Sequence, residues 1–156
     1  MKRYALILAL VMALAAGFGC AKKTQTTEPA YDDGGNAELR AAIEQITDAR
    51  VYFAFDKFNI QPEYKDMLKT KAELLKKYSS IRVRIEGNCD ERGTQEYNLA
   101  LGERRARASY EYLVNLGVNP SQLEMISYGK ENPAVQGRGE AAWSKNRRDD
   151  FRVISQ

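Results

Sequence analysis

The stretch IRVRIEGNCDERGTQEYNLALGERRA, residues 81–106, determines the fold of this chain. Its first residues alternate between apolar side chains (Ile81, Val83, Ile85) and charged ones, as in a β-strand with one buried face. A polar loop containing glycine follows, and apolar residues then recur at helical spacing from about 95 to 116. A strand, a loop and a helix in this order indicate an α/β fold.

The residues before this stretch predict one more strand and one more helix. VYFAFDKFNI (51–60) alternates like a strand, with Val51, Phe53 and Phe55 expected to face the core. In PEYKDMLKTKAELLKKY (62–78) the apolar residues repeat every three or four positions, and a proline in the first turn is typical of a helix start.

The residues after it predict two further strands. LEMISYG (123–129) and FRVIS (151–155) are short apolar stretches, separated by a long loop rich in glycine and charge. The order strand–helix–strand–helix–strand–loop–strand predicts a single α/β sandwich, with helices packed on a mixed four-stranded sheet, over residues 51–156.

The amino terminus has the layout of an export signal. Lys2 and Arg3 precede an apolar run that ends in small residues and Cys20. A permanent transmembrane helix is the alternative, but the run is short for the ~20 residues that a bilayer requires. The segment resembles a bacterial lipoprotein signal, which implies lipidation of Cys20, and Ala21 after it implies sorting to the outer membrane. Residues 21–50 are expected to form a flexible tether with a short helix at 37–49.

The composition excludes several classes of function. With 24 basic and 21 acidic residues the net charge is +3, too small to indicate nucleic-acid binding. The chain has no histidine, which excludes Ser-His-Asp and Cys-His catalysis, and its two cysteines are too few for a structural zinc site. These absences leave only catalysis by other side chains, such as carboxylates, and we expect no metal and no cofactor.

Two charged residues are candidates for ligand binding. Arg105 falls on the apolar stripe of the 95–116 helix, where a lone charge requires a partner or a ligand. Asp90 follows the 81–87 strand, at an edge where α/β folds place binding groups. The alternatives are a structural ion pair for Arg105 and a turn or capping role for Asp90. An acid and a base side by side suit a zwitterion with an ammonium and a carboxylate.

Two neighbouring features have plainer interpretations. Glu91 and Arg92 are expected to form a solvated loop pair, and Cys89 to be a small buried residue rather than a redox site. Asp56, at the end of the first predicted strand, is either a member of the site or a turn residue.

Residues 51–154 resemble the OmpA-like C-terminal domain family, whose members bind peptidoglycan. The matching stretches are VYFAFDKFNI, EGNCDERGTQEYNLALGERRA, SYGKENPAV and SKNRR, whereas Asn88 and Cys89 depart from the usual pair. The resemblance implies that Asp90 binds the ammonium of diaminopimelate and Arg105 its carboxylate. It also implies site positions for a further set of residues: Phe55, Asp56, Leu101, Asn146 and Arg147.

The resemblance is strongest to lipid-anchored members of the family. It implies a protein that is held in the outer membrane, has its head in the periplasm, and binds peptidoglycan as part of a Tol-type system that supports envelope integrity and cell division. One alternative is a module that chiefly docks Tol proteins. The other is a cell-wall hydrolase that uses Asp56, Asp90 or Glu91 as acid and base.

Overall fold

The computed structural model describes residues 34–156. The predicted signal at 1–20, with Cys20, and the predicted tether as far as residue 33 lie outside the described residues. In chain order the elements are α1 (Gly34–Asp48), β1 (Val51–Tyr52), α2 (Lys65–Lys77), β2 (Arg82–Asn88), α3 (Gln95–Asn115), β3 (Leu123–Gly129), α4 (Glu140–Asn146) and β4 (Arg148–Ser155). Between residues 34 and 156, no helix is both long and apolar enough to cross a membrane.

The four strands form one mixed sheet in the order β1-β4-β2-β3. β2 and β3 are parallel and are connected through α3, whereas β4 runs antiparallel to both β1 and β2. Helices α1 and α3 pack against the sheet, and α2 packs against both of these helices. The fold class predicted from the sequence is therefore confirmed.

A single apolar core lies between the sheet and the helices. The fully buried members come from every layer: Ile46, Val51, Leu68, Ala72, Ile81, Val83, Ile85, Ala106 and Leu113. The alternating charges of the 81–87 stretch lie on the opposite side of the sheet. There Arg82 pairs with Glu124 at 2.6 Å, and Arg152 with Glu86 at 3.0 Å. One apolar and one charged face explain the strict alternation in the sequence.

The first strand is shorter than the sequence predicts. β1 ends at Tyr52, although Phe53 still donates its backbone N–H to the carbonyl of Arg147 and is buried. The chain then turns, and Asp56 adopts a left-handed conformation (φ 56°), which aspartate tolerates better than most residues. Phe55 is therefore 58 % exposed, and the prediction that it faces the core is wrong.

The short helix expected at 37–49 is present and longer, because α1 begins at Gly34. It is also packed on the domain, since Ala42 and Ile46 are buried and Ile46 belongs to the core. Residues 34–48 are thus part of the folded unit rather than of a tether.

The loop predicted before the last strand contains structure that the sequence pattern did not indicate. Residues 140–146 form α4, and β4 begins at Arg148, three residues earlier than expected. Charged residues are unusual in a strand interior. Here Arg148 pairs with Asp150 at 2.8 Å, and Asp149 accepts a hydrogen bond from Ser109.

Candidate ligand-binding site

A cavity of about 180 Å³ lies where the β2–α3 loop meets the turn after β1 and the start of β4. Its lining comes from three separated parts of the chain: Phe55, Asp56, Cys89, Asp90, Arg92, Gly93, Tyr97, Asn98, Leu101, Arg105 and Arg147. Six of the seven ligand-binding residues expected from the sequence therefore meet at one cavity. Asn146 does not line it.

Helix α3 holds Arg105 at this cavity. Thr94 caps the helix by accepting a hydrogen bond from the N–H of Tyr97, and Gly117, with φ 90°, lies just beyond its other end, as predicted. Arg105 is 0 % exposed, which agrees with its predicted position on the inward stripe.

The guanidinium of Arg105 is bound by neutral groups. Its Nε donates to the carbonyl of Lys57 at 2.9 Å, and Nη1 donates to the carbonyl of Asn88 at 2.8 Å and to Cys89 Sγ at 3.4 Å. Nη2 donates to the carbonyl of Ala54 at 3.4 Å, which leaves one of the five N–H groups unused. Burial lowers the pKa of Arg105. No carboxylate of residues 34–156 lies within ion-pair distance of it.

Asp90, 4 % exposed, is surrounded by arginine. Arg92 donates to Oδ1 from its backbone N–H at 3.2 Å and from Nε at 3.0 Å, and to Oδ2 from Nη2 at 2.7 Å. Arg147 adds a bond from Nη1 to Oδ2 at 3.4 Å. Burial acts to raise the pKa of Asp90, but the hydrogen bonds and charge of Arg92 outweigh it, so the pKa lies below its usual value. Asp90 is therefore an anion.

Arg92 belongs to the site, and the prediction of a solvated Glu91–Arg92 pair is wrong. The Arg92 guanidinium lies 4.0 Å from the ring centroids of both Phe55 and Trp143. Glu91 instead accepts a hydrogen bond from Trp143 Nε1 at 3.3 Å and lies 3.6 Å from Arg138. The spacing of Asp90 and Arg92, two residues apart in a turn, was the only sequence signal for this contact.

The outer rim of the cavity is aromatic and acidic. Tyr97 donates a hydrogen bond from its hydroxyl to Asp56, and both side chains are exposed. Phe55 lies beside them, and the buried Leu101 supplies an apolar part of the wall.

Arg147 and Asn146 both hold the site in place, in different ways. Arg147 donates from Nε to the carbonyl of Phe53 at 2.9 Å and forms an ion pair with Glu140, so it connects the segment after β1, α4 and Asp90. Asn146 exchanges two hydrogen bonds of 2.9 Å with the backbone of Val135 and so braces the loop before α4.

Cys89 is buried beside Arg105, as expected. Its thiol donates to the carbonyl of Asn98 at 3.3 Å. Burial raises its pKa to about 11, against the opposing charge of Arg105, so the thiolate that reacts with oxidants does not form near neutral pH.

Comparison with known proteins agrees with this fold. The family model described as the OmpA family matches residues 52–147. The peptidoglycan-associated lipoprotein of Pseudomonas putida is 40 % identical, over 97 % of this chain and 98 % of its own length. The chain therefore belongs to the OmpA family, in its branch of peptidoglycan-associated lipoproteins.

Solved structures support the same assignment. The crystal structure of the peptidoglycan-associated lipoprotein from Burkholderia pseudomallei superposes with a TM-score of 0.66 at 46 % identity, covering 67 % of this chain and 88 % of that one. The C-terminal domain of Helicobacter pylori MotB superposes with a TM-score of 0.64 at 22 % identity, covering 69 % of this chain and 85 % of that one. At that identity the second similarity shows the fold alone.

Proposed function

We propose that this protein binds the peptide stem of peptidoglycan non-covalently, and that it recognises the zwitterionic end of diaminopimelate. Asp90 takes the ammonium and Arg105 the carboxylate. The proposal rests mainly on Arg105. Its guanidinium is fully buried and has no ion-pair partner among residues 34–156, where one of its N–H groups also remains without an acceptor. An unpaired buried charge is costly, and a ligand carboxylate removes that cost.

The size of the cavity and the names of the relatives support the same ligand. A volume of about 180 Å³ suits the end of one amino acid rather than a whole drug-sized ligand, which occupies ~300–1,000 Å³. The relatives at about 40 % identity over nearly the whole chain are named peptidoglycan-associated lipoproteins.

The proposed location depends on the amino terminus. A lipidated Cys20 anchors the chain in the outer membrane, residues 21–33 act as the tether, and the folded head binds the cell wall in the periplasm. Several acyl chains at ~0.8 kcal/mol per buried methylene hold such an anchor stably. Mass spectrometry of the mature protein should find lipid on Cys20, and an unmodified cysteine there would remove the membrane part of the proposal.

Co-sedimentation with diaminopimelate-type peptidoglycan tests the binding site. A chain that begins at residue 21 keeps every residue of the core. Wild type should sediment with the polymer, whereas Asp90→Asn and Arg105→Met should remain in the supernatant. Asp66→Asn, an exposed acid on α2, is the matched control and should behave as wild type. If both site variants sediment as wild type does, the proposed site is wrong.

Docking of a Tol protein is the second candidate, because aromatic side chains are exposed at the cavity. Phe55, Phe58 and Tyr97 are 58 %, 45 % and 46 % exposed, and Phe55 and Tyr97 line the opening itself. Exposed aromatic residues are enriched at protein interfaces. A competition assay between a Tol partner and soluble peptidoglycan fragments tests whether the two ligands use this one surface.

The pKa of Asp90 and the contacts of Glu91 argue against a hydrolase. A glycosidase requires one carboxylic acid with a raised pKa, whereas the pKa of Asp90 is lowered. Glu91 does not line the cavity, because it is held by Trp143 and Arg138. Incubation with labelled peptidoglycan should release no soluble fragments, and release that depends on Asp56 or Asp90 would overturn this assignment.

A further inference from the structure

The acceptor positions of Asp90 are occupied by hydrogen-bond donors of the protein itself. A carboxylate offers about four lone-pair sites. Arg92 uses three of them and Arg147 the fourth, at distances between 2.7 and 3.4 Å. A ligand ammonium therefore has no free acceptor on Asp90 and meets two guanidinium charges around one carboxylate.

Binding of the ammonium therefore requires one of these two arginines to move away from Asp90. The exposure and the other contacts of each arginine indicate which one moves. The Arg147 side chain is 6 % exposed and is also bound to the carbonyl of Phe53 and to Glu140. The Arg92 side chain is 31 % exposed, and among residues 34–156 the hydrogen bonds it donates go to Asp90 alone. Its other partners are the ring faces of Phe55 and Trp143, which do not require one fixed orientation.

The exposed fractions of the charged side chains indicate the order in which a ligand contacts them. Arg105 is 0 % and Asp90 4 % exposed, whereas Arg92 is the accessible guanidinium of the cavity. A ligand that approaches the two buried groups therefore contacts Arg92 first.

We propose that Arg92 is an internal cation that competes with the ligand ammonium for Asp90 and so determines the specificity of the site. This inference rests on the proposed function. A diaminopimelate end displaces Arg92, because its ammonium replaces the guanidinium at Asp90 while its carboxylate neutralises Arg105. The released guanidinium changes its position relative to the ring faces of Phe55 and Trp143.

The competition selects for ligands that carry both charges at once. A carboxylate without the ammonium leaves the Arg92–Asp90 pair in place, and an ammonium without the carboxylate adds a cation next to Arg105. A tripeptide that ends in meso-diaminopimelate, with the side-chain ammonium of diaminopimelate free or acetylated, separates these cases because acetylation removes that charge and leaves the carboxylate in place.

Calorimetric titration of the chain from residue 21 tests the competition. Arg92→Gln should tighten binding of the unmodified tripeptide about tenfold, which corresponds to ~1.4 kcal/mol, because the ammonium no longer displaces a charged hydrogen-bond donor from Asp90. Binding of the acetylated tripeptide should not change. Arg138→Gln is the matched control, because it removes a loop cation that pairs with Glu91 and does not contact Asp90. Unchanged or weaker binding of the unmodified tripeptide by Arg92→Gln would overturn the inference.

The single tryptophan gives a second readout. Because Arg92 lies on the ring of Trp143, its displacement should change the fluorescence of Trp143 as the unmodified tripeptide binds. The acetylated tripeptide should cause no such change, and neither should the unmodified one with Arg92→Gln. The same fluorescence change in Arg92→Gln as in wild type would mean that Arg92 does not move.

A wrong binding site and an absent Arg92 competition give different results with the variants. If Asp90→Asn binds the tripeptide as wild type does, the proposed site is wrong whatever Arg92 does. If Asp90→Asn abolishes binding but Arg92→Gln does not improve it, the site stands and the competition is rejected. Arg92→Lys, which keeps the charge without the two-pronged contact, should bind with intermediate affinity if the competition is correct.

Discussion

Gly87 of β2 and Gly102 of α3 are in direct backbone contact, and a Cβ atom on Gly87 would clash with the carbonyl oxygen of Gly102. The contact brings the helix against the strand just before the site residues of both elements. One residue after Gly87, the carbonyl of Asn88 accepts a hydrogen bond from Arg105 at 2.8 Å. The absence of two side chains thus determines how close Arg105 lies to the β2–α3 loop.

Gly87→Ala should therefore destabilise the protein by roughly 1–3 kcal/mol and weaken ligand binding, because backbone must move to admit the methyl group. Urea unfolding measures the first effect. Gly35→Ala is the control, since a Cβ at Gly35 meets nothing within 4 Å. That change should leave stability equal or raise it by ~0.4–1 kcal/mol. Equal stability of Gly87→Ala and wild type would contradict the close contact.

The regular parts of this fold follow from periodicity in the sequence, and the site follows only in part. Alternation predicted β2, and helical spacing placed Arg105 on the buried stripe of α3. The short β1 and the left-handed turn at Asp56 could not be predicted from the alternation of residues 51–60, which indicated a longer strand. Likewise, Asp149 lies in a strand interior because Ser109, 40 residues away, supplies a hydrogen bond.

The position of Arg92 in the cavity could not be predicted from the local sequence either. Its partner Trp143 is 51 residues further along the chain, so the contact arises only after the sheet and α4 have formed. Local sequence therefore indicated a solvated loop, and tertiary packing made Arg92 part of the cavity.

Arg105→Lys separates the charge of Arg105 from its shape. Lysine keeps the positive charge but lacks the planar fork that reaches Lys57, Asn88 and a ligand carboxylate together. Binding of the diaminopimelate tripeptide should weaken about tenfold to a hundredfold, since one charge-assisted hydrogen bond is worth ~1.5–3 kcal/mol. Calorimetry measures the loss. Arg107→Lys, on the exposed face of α3, should bind as wild type does. Full affinity of Arg105→Lys would show that charge alone suffices.

Lys71 attaches α1 to the domain. Its ammonium, 1 % exposed, donates to the carbonyl of Gln45 at 3.3 Å and to that of Ile46, near the end of the helix. Burial lowers its pKa to about 8. Lys71→Met keeps the aliphatic stem and removes both hydrogen bonds.

Amide hydrogen exchange in α1 should therefore become faster in Lys71→Met, with a loss of ~1–3 kcal/mol for the unpaired carbonyls. Binding of the tripeptide should not change, because no residue of α1 lines the cavity. Lys69→Met, which removes an exposed lysine paired with Asp66, is the control. Unchanged exchange in Lys71→Met would mean that apolar packing alone holds α1.

Asp149 is an ionisable group whose burial opposes its charge. It is 0 % exposed, its Oδ2 accepts from Ser109 at 2.6 Å, and its Oδ1 has no partner within the described part of the chain. Burial raises its pKa from 3.8 to about 8, although Ser109 and the nearby charges of Arg105 and Arg148 act in the opposite direction and Asp150 adds to the rise. The folded protein therefore holds a proton that the unfolded chain releases.

Stability should consequently fall as the pH rises from about 4 to about 8. In that window the unfolded chain has lost the proton and the folded state still binds it, so folding takes up a proton, with a slope of up to ~1.4 kcal/mol per pH unit. Asp149→Asn, which carries no titrating proton, should remove this part of the slope, whereas Asp66→Asn on the surface should retain it. Urea unfolding at several pH values measures both slopes. If Asp149→Asn and wild type lose stability equally across the window, Asp149 is ionised in the folded protein, and its negative charge compensates Arg105.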